Sequence, residues 1–167
     1  MRKQLLFCVE TDREADVDWV YIHETIKYCY GENNEISIKP IYMGGKTNYK
    51  TNKVLNEIKD KSKRFKGETT VFYCIDTDRM DINATQELEF NAIKKYCSSK
   101  GYNFIWFSRD VEDVFWGSQV EDSEKKNKAK QFRSQKQIQR IRFTSLRATS
   151  VSRHKSNILN VLDKYLI

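Results

Sequence analysis

The chain has 167 residues, of which 39% are hydrophobic and 13% aromatic, and its 30 Lys and Arg against 23 Asp and Glu give a formal net charge of +7. These values are ordinary for one globular domain with a real core, here extended by a tail. No apolar run approaches the roughly 20 residues of a membrane-spanning helix, and Glu10 interrupts the first one too early for a secretory leader, so a cytoplasmic protein without membrane association is expected.

Gln4 to Glu10 opens the chain with a continuous apolar run of the kind a buried parallel strand shows, ending on an acid. From Asp12 to Tyr30, Ala15, Trp19, Ile22, Ile26 and Cys29 recur at helical spacing. Thr11 or Asp12 is available as the cap, Gly31 as the stop, and His23 adjoins the apolar face. Glu35 to Met43 alternates, and Pro40 suits an edge strand. Gly44-Gly-Lys-Thr47 lacks the upstream glycine of a phosphate loop and reads as a turn that brings Lys46 near a phosphate.

Asn48 to Lys66 then predicts a helix with Val54, Leu55, Ile58 and Phe65 inward, stopped by Gly67. Thr69 to Ile75 is the most apolar and β-branched strand, hence central, and it empties into Asp76-Thr-Asp78. Asp81 to Lys100 predicts a helix with Leu88, Ala92, Ile93 and Tyr96 on one side. Tyr102 to Phe107 is a fourth strand that runs into the acids Asp110 and Glu112, which also suit the cap of a helix opening at Val111.

Strict alternation of strand and helix predicts an α/β fold with a Rossmann-like parallel four-stranded sheet flanked by helices. Ligands bind such sheets beyond the C-terminal strand edges where strand order reverses. With the order 2-1-3-4, Glu10, Asp76 and Asp78 converge there, and Asp110 and Glu112 arrive alongside. A lone Asp-x-Asp equally suits a turn followed by a helix cap, whereas three strand ends delivering acids to one edge suit a divalent cation with hard oxygen ligands.

Cys8, Cys29, Cys74 and Cys97 have no Cys-x-x-Cys spacing and read as buried free thiols, and two distant histidines, His23 and His154, supply neither a zinc site nor a serine-type triad, although one histidine can act alone. Between Lys125 and Lys155 stand eleven Lys and Arg and no acid, so the rest of the chain sums to −4. An acidic body of residues 1–118 joined to a basic helical C-terminal segment of residues 119–167 points to a polyanion, DNA or RNA, as partner. Lys130, Arg133, Arg140, Arg142 and Arg147 are its candidate phosphate contacts, while Phe132 and Phe143 either pack or stack on bases.

Val9-Glu10 after the first strand and Ile75-Asp-Thr-Asp78 after the third resemble the Toprim domain, the phosphoryl-transfer module of topoisomerases, primases and several nucleases. Glu10-Thr-Asp-Arg-Glu14 and Asp110-Val-Glu-Asp113 are similar to the compact nucleases of the OLD and phage-defence type, over about residues 4–116. The resemblance implies a metal-dependent nuclease in which Glu10, Asp76 and Asp78 hold Mg2+ or Mn2+. Glu14 and Glu112 would complete a second metal site or act as base, and Lys46, Arg79 and Arg109 would meet the phosphate charge.

The glycine usual after the first glutamate is Thr11 here, which keeps open a catalytically inert nucleic-acid-binding or regulatory module, and a protein partner in a larger, phage-defence complex. The chain has no room for a topoisomerase's cleavage-rejoining domain. An Asp-x-Asp glycosyltransferase would leave the basic segment without a task, and an Asp-x-Asp phosphatase would carry its motif after the first strand.

Overall fold

The four apolar runs form one parallel sheet in the order β2-β1-β3-β4, in a computed structural model that describes residues 1–167. Its strands are β1 (Lys3–Val9), β2 (Ile36–Tyr42), β3 (Glu68–Asp76) and β4 (Asn103–Phe107). The predicted order is thus observed, with Pro40 on the edge strand where its missing N–H costs least. Alternate strand residues serve opposite faces. Leu5, Phe7, Phe72, Cys74, Ile105 and Phe107 point to one core, and Leu6, Cys8, Val71, Tyr73, Ile75 and Trp106 to the other.

Helices cover both faces. On the second face lie α2 (Asn52–Arg64), through Val54 and Ile58, and α3 (Ala84–Lys100), through Phe90, Ile93 and Cys97. On the first lie α1 (Val17–Tyr30), α4 (Val111–Trp116), α5 (Lys125–Ser134) and α6 (Ile158–Leu166). No helix is long and apolar enough to cross a membrane. Cys8, Cys74 and Cys97 are buried free thiols and Cys29 is a half-buried one. Gly67 turns the chain into β3 so close to Arg2 that any Cβ would overlap the Arg2 carbonyl, a place only glycine fits.

Helix starts depart from the predicted ones. Neither Thr11 nor Asp12 caps α1: Asp12 instead accepts from the Ala15 amide at 2.7 Å in a turn, and the helix begins only after Asp16. Thr51 caps α2 and Asn83 caps α3, three and two residues inside the predicted starts, because side-chain acceptors rather than apolar period fix the first turn. On α3 the buried stripe is Phe90, Ile93 and Cys97, while Leu88 is 72% exposed. Two residues separate Leu88 from Phe90, about 200° around the helix, so both cannot face the sheet.

The basic segment read as separate from residue 119 onward shares one core with the sheet. Its Phe132, Ile138, Leu146, Ile158 and Leu162 pack into the same cluster as Phe7, Tyr21 and Phe115. Phe132 is fully buried, with its ring centroid 4.6 Å from Tyr21 and 5.4 Å from Phe115, so it packs and does not stack on bases. Phe143 stays partly exposed, edge-on to Tyr28 at 5.9 Å.

The segment also closes the free edge of β4. Asn157 accepts from the Trp106 amide at 2.9 Å and donates to the Phe104 carbonyl at 3.1 Å, imitating a fifth strand with one side chain. Phe132→Ala should therefore lower the unfolding free energy by about 3–5 kcal/mol in urea titrations followed by tryptophan fluorescence. A loss below about 1 kcal/mol, the range of surface substitutions, would contradict a shared core.

Candidate metal centre

Parallel strands end on one side, so the chain leaves β1 at Glu10 and β3 at Asp76 as neighbours. The Glu10 carboxylate accepts a hydrogen bond from the Asp76 amide at 2.5 Å, which locks the first acid over the second. Gly45, with φ of 127°, donates its amide to the Glu10 carbonyl at 2.7 Å. That backbone turn folds Lys46 inward, where its ammonium donates to the Asp76 carbonyl at 2.9 Å and pairs with the Asp78 carboxylate.

Two further acids close in from the first face. Asp18, in the opening turn of α1, and Glu112, in that of α4, are both buried. Asp110 caps α4 by accepting from the Asp113 amide at 2.8 Å, the role its sequence equally suits. Opposite them, Lys125 of α5 brings its ammonium to 3.7 Å from Asp110 and 3.8 Å from Glu112. The acids are thus flanked by two lysines from distant parts of the chain.

Crowding of like charges in a dry place disfavours ionisation. Burial, then Glu10, Asp18, Glu112 and Asp110, holds Asp76 well above the carboxylate range. Burial pushes Glu10 up to about 8 against the pull of Lys46, with Asp18 adding to the rise. Burial likewise lifts Asp18 to about 6 and Glu112 to about 7, each opposed by Lys125. Burial pulls Lys125 down, but Glu112, Asp110 and Asp76 outweigh it and leave the ammonium at about 12. Lys46 is raised in the same way, chiefly by Glu10.

Two oxygens at these strand exits remain without a partner. Asp76 Oδ1 is buried and accepts no hydrogen bond, and Thr11 Oγ1 is in the same position. Buried polar atoms are nearly always satisfied, and a bare carboxylate oxygen among other carboxylates suits a hard divalent cation. No three of the acids are drawn together as a finished ligand set, so a cation would draw further on neighbouring side chains or water.

Of the sequence candidates, Glu10 accepts from the Asp76 amide, and Glu112 lies near enough to raise Asp76. Asp78, with φ of 50°, is held by the Lys46 ammonium, and its charge adds to the rise of Glu10. Glu14 is exposed and faces Lys126, Lys130 and Arg133 of α5 across a separate cavity. Arg79 and Arg109 line a cavity beside the β3 end. Lys130, Arg140 and Arg142 are exposed, whereas Arg133 pairs with Glu24 at 2.9 Å and Arg147 with Asp163 at 3.2 Å.

Asp18 and Lys125 were missed. Asp18 heads the stripe Asp18, Ile22, Ile26 at intervals of four residues, and an acid on a buried stripe is a readable signal. Lys125 looks like any other member of the basic run. Comparison with protein families, curated proteins and solved structures gave no match.

Carboxylates whose folded pKa lies above the unfolded one bind protons preferentially in the folded state. Their contribution is complete below the unfolded values and is lost as pH rises through the folded ones. With Glu112 at about 7 and Glu10 at about 8, up from 4.5, the midpoint of thermal unfolding in EDTA should fall between pH 5 and 8. Glu10→Gln should flatten that fall. A midpoint constant over this range would contradict the crowding of buried acids.

Proposed function

We propose that this chain is a Toprim-like, metal-dependent nuclease that hydrolyses phosphodiester bonds of DNA or RNA. The observation that carries the reading is the unpartnered, buried Asp76 Oδ1 among Glu10, Asp18 and Glu112, at the strand edge where the β2-β1-β3-β4 order reverses. Alternation of strand and helix, with a glutamate after the first strand and Asp-x-Asp after the third, supports the same reading.

Asp76 and Glu10 would hold Mg2+ or Mn2+, with Glu112 and Asp18 beside them and Asp78 reached through Lys46. A cation of this kind neutralises phosphate charge, lowers the pKa of bound water and stabilises a leaving oxygen. Glu112, raised to about 7, is matched to accept a proton from water near neutral pH. Lys46 fixes the β3 exit by bonding the Asp76 carbonyl and the Asp78 carboxylate together. Lys130, Arg140 and Arg142 present free positive charge to the nucleic-acid backbone.

A second reading has its own observation. Lys46 and Lys125 already supply positive charge to the acids, as expected of an inert Toprim-like module that binds nucleic acid, alone or within a phage-defence complex. Single- and double-stranded DNA and RNA incubated with Mg2+ and Mn2+ separate the two. A nuclease cleaves at least one of them, and Asp76→Asn lowers that cleavage on the order of 100-fold with binding retained. Binding without cleavage under any metal would support the inert module.

A further inference from the structure

Beside the acidic cluster, three loops border an open cavity of about 600 Å³. One loop leaves β3 at Thr77 and Asp78, one leaves β4 at Ser108 and Arg109, and one runs through Ser152 and Arg153 in the C-terminal segment. The loops are stitched together by their main chains. The Asp78 amide donates to the Arg109 carbonyl at 2.8 Å, the Arg109 amide to Thr77 Oγ1 at 2.7 Å, and the Ser108 amide to the Lys155 carbonyl at 3.0 Å.

The stitching holds unusual backbone in place. Of the five non-glycine residues with positive φ, two line this cavity, Asp78 at 50° and Arg109 at 65°, and a third, His154 at 62°, directly follows the lining residue Arg153. Such backbone is strained and tends to cluster where a ligand is bound. Elsewhere only Asp16 and Lys136 share that conformation.

The cavity's charges decide what it takes. Asp78 is paired with Lys46, Asp113 lies 2.9 Å from His154 Nδ1, and Asp81 lies 4.0 Å from Arg79. Glu87 is the one acid in the wall whose carboxylate meets neither a cation nor an imidazole. Against it stand the Arg109 and Arg153 guanidiniums, neither of which makes an ion pair, with the hydroxyls of Ser108 and Ser152 nearby. Unpaired guanidiniums beside hydroxyls suit the fork geometry of a phosphate. The volume lies within the range that holds small ligands of nucleotide size.

We propose that this cavity seats the terminal phosphate of a nucleic-acid strand, so that a phosphorylated end is anchored next to the acidic cluster. The proposal rests on the nucleic-acid reading above and names a preference for ends over internal sites. His154 acts behind the wall by occupying Asp113, whose carboxylate would otherwise face the phosphate unpaired.

The test is binding in EDTA at low salt, so that no cleavage is needed. Three thymidine trinucleotides serve as probes, one with a 5′-phosphate, one with a 3′-phosphate and one with neither, each titrated calorimetrically. One phosphorylated form should bind about tenfold more tightly than the unphosphorylated one. Arg109→Gln and Arg153→Gln should each close most of that gap, and Asp76→Asn should leave it. Arg153 is exposed, so its variant stays informative if the strained Arg109 position proves sensitive to substitution.

Equal binding of all three probes, no binding of any, or a gap that survives both arginine variants would overturn the proposal. Failure of the nuclease reading looks different: the gap persists while no metal supports cleavage.

Discussion

Asp76 sits at the end of the central strand with one carboxylate oxygen buried and unbonded and with four other acids close enough to raise its pKa. Left alone, such a cluster opposes folding, because charge in a dry site repels and is poorly solvated. Much of the rest of the structure answers that repulsion. The β2 exit turns on Gly45 to insert Lys46, and the first turn of α5 delivers Lys125 from the other side. Protonation of Glu10 and Glu112 near neutral pH answers it too. A divalent cation would do the same with higher charge density.

This dependence explains why the C-terminal segment is built into the fold. Phe132, Ile138 and Leu162 anchor it in the first-face core, and that anchoring fixes Lys125 over the acids and Arg153 in the neighbouring cavity. Asn157 and Ser156 meanwhile cover the edge of β4, Ser156 by donating to the Trp106 carbonyl at 2.6 Å. An edge strand left open invites pairing with other chains. One segment therefore finishes the sheet, neutralises the site and carries the exposed basic side chains.

Strand order and the meeting of Glu10 with Asp76 were legible in the sequence, because apolar runs alternate with helical periods and parallel strands must end on one side. The starts of α2 and α3 were not, since Thr51 and Asn83 set them by single hydrogen bonds that periodicity does not register, whereas the Asp110 cap before Val111 was readable. The two acids of Asp76-Thr-Asp78 look equivalent at a two-residue spacing, yet Asp76 is buried without a partner for Oδ1 while Asp78 is paired with Lys46. Lys125 was invisible among eleven similar charges, and its place depends on tertiary packing of Phe132 seven residues later. The arginine-lined cavity was hidden for the same reason, being assembled from three loops far apart in sequence.

Electron paramagnetic resonance of free Mn2+ titrated with the protein at neutral pH measures cation capture at Asp76 without any substrate. Saturable loss of the free-ion signal is expected for the wild type, weakened on the order of 100-fold in Asp76→Asn and strengthened in Lys125→Met, where a competing charge is gone. An undiminished free-ion signal, or capture that Asp76→Asn leaves unchanged, would contradict a metal centre at this strand edge.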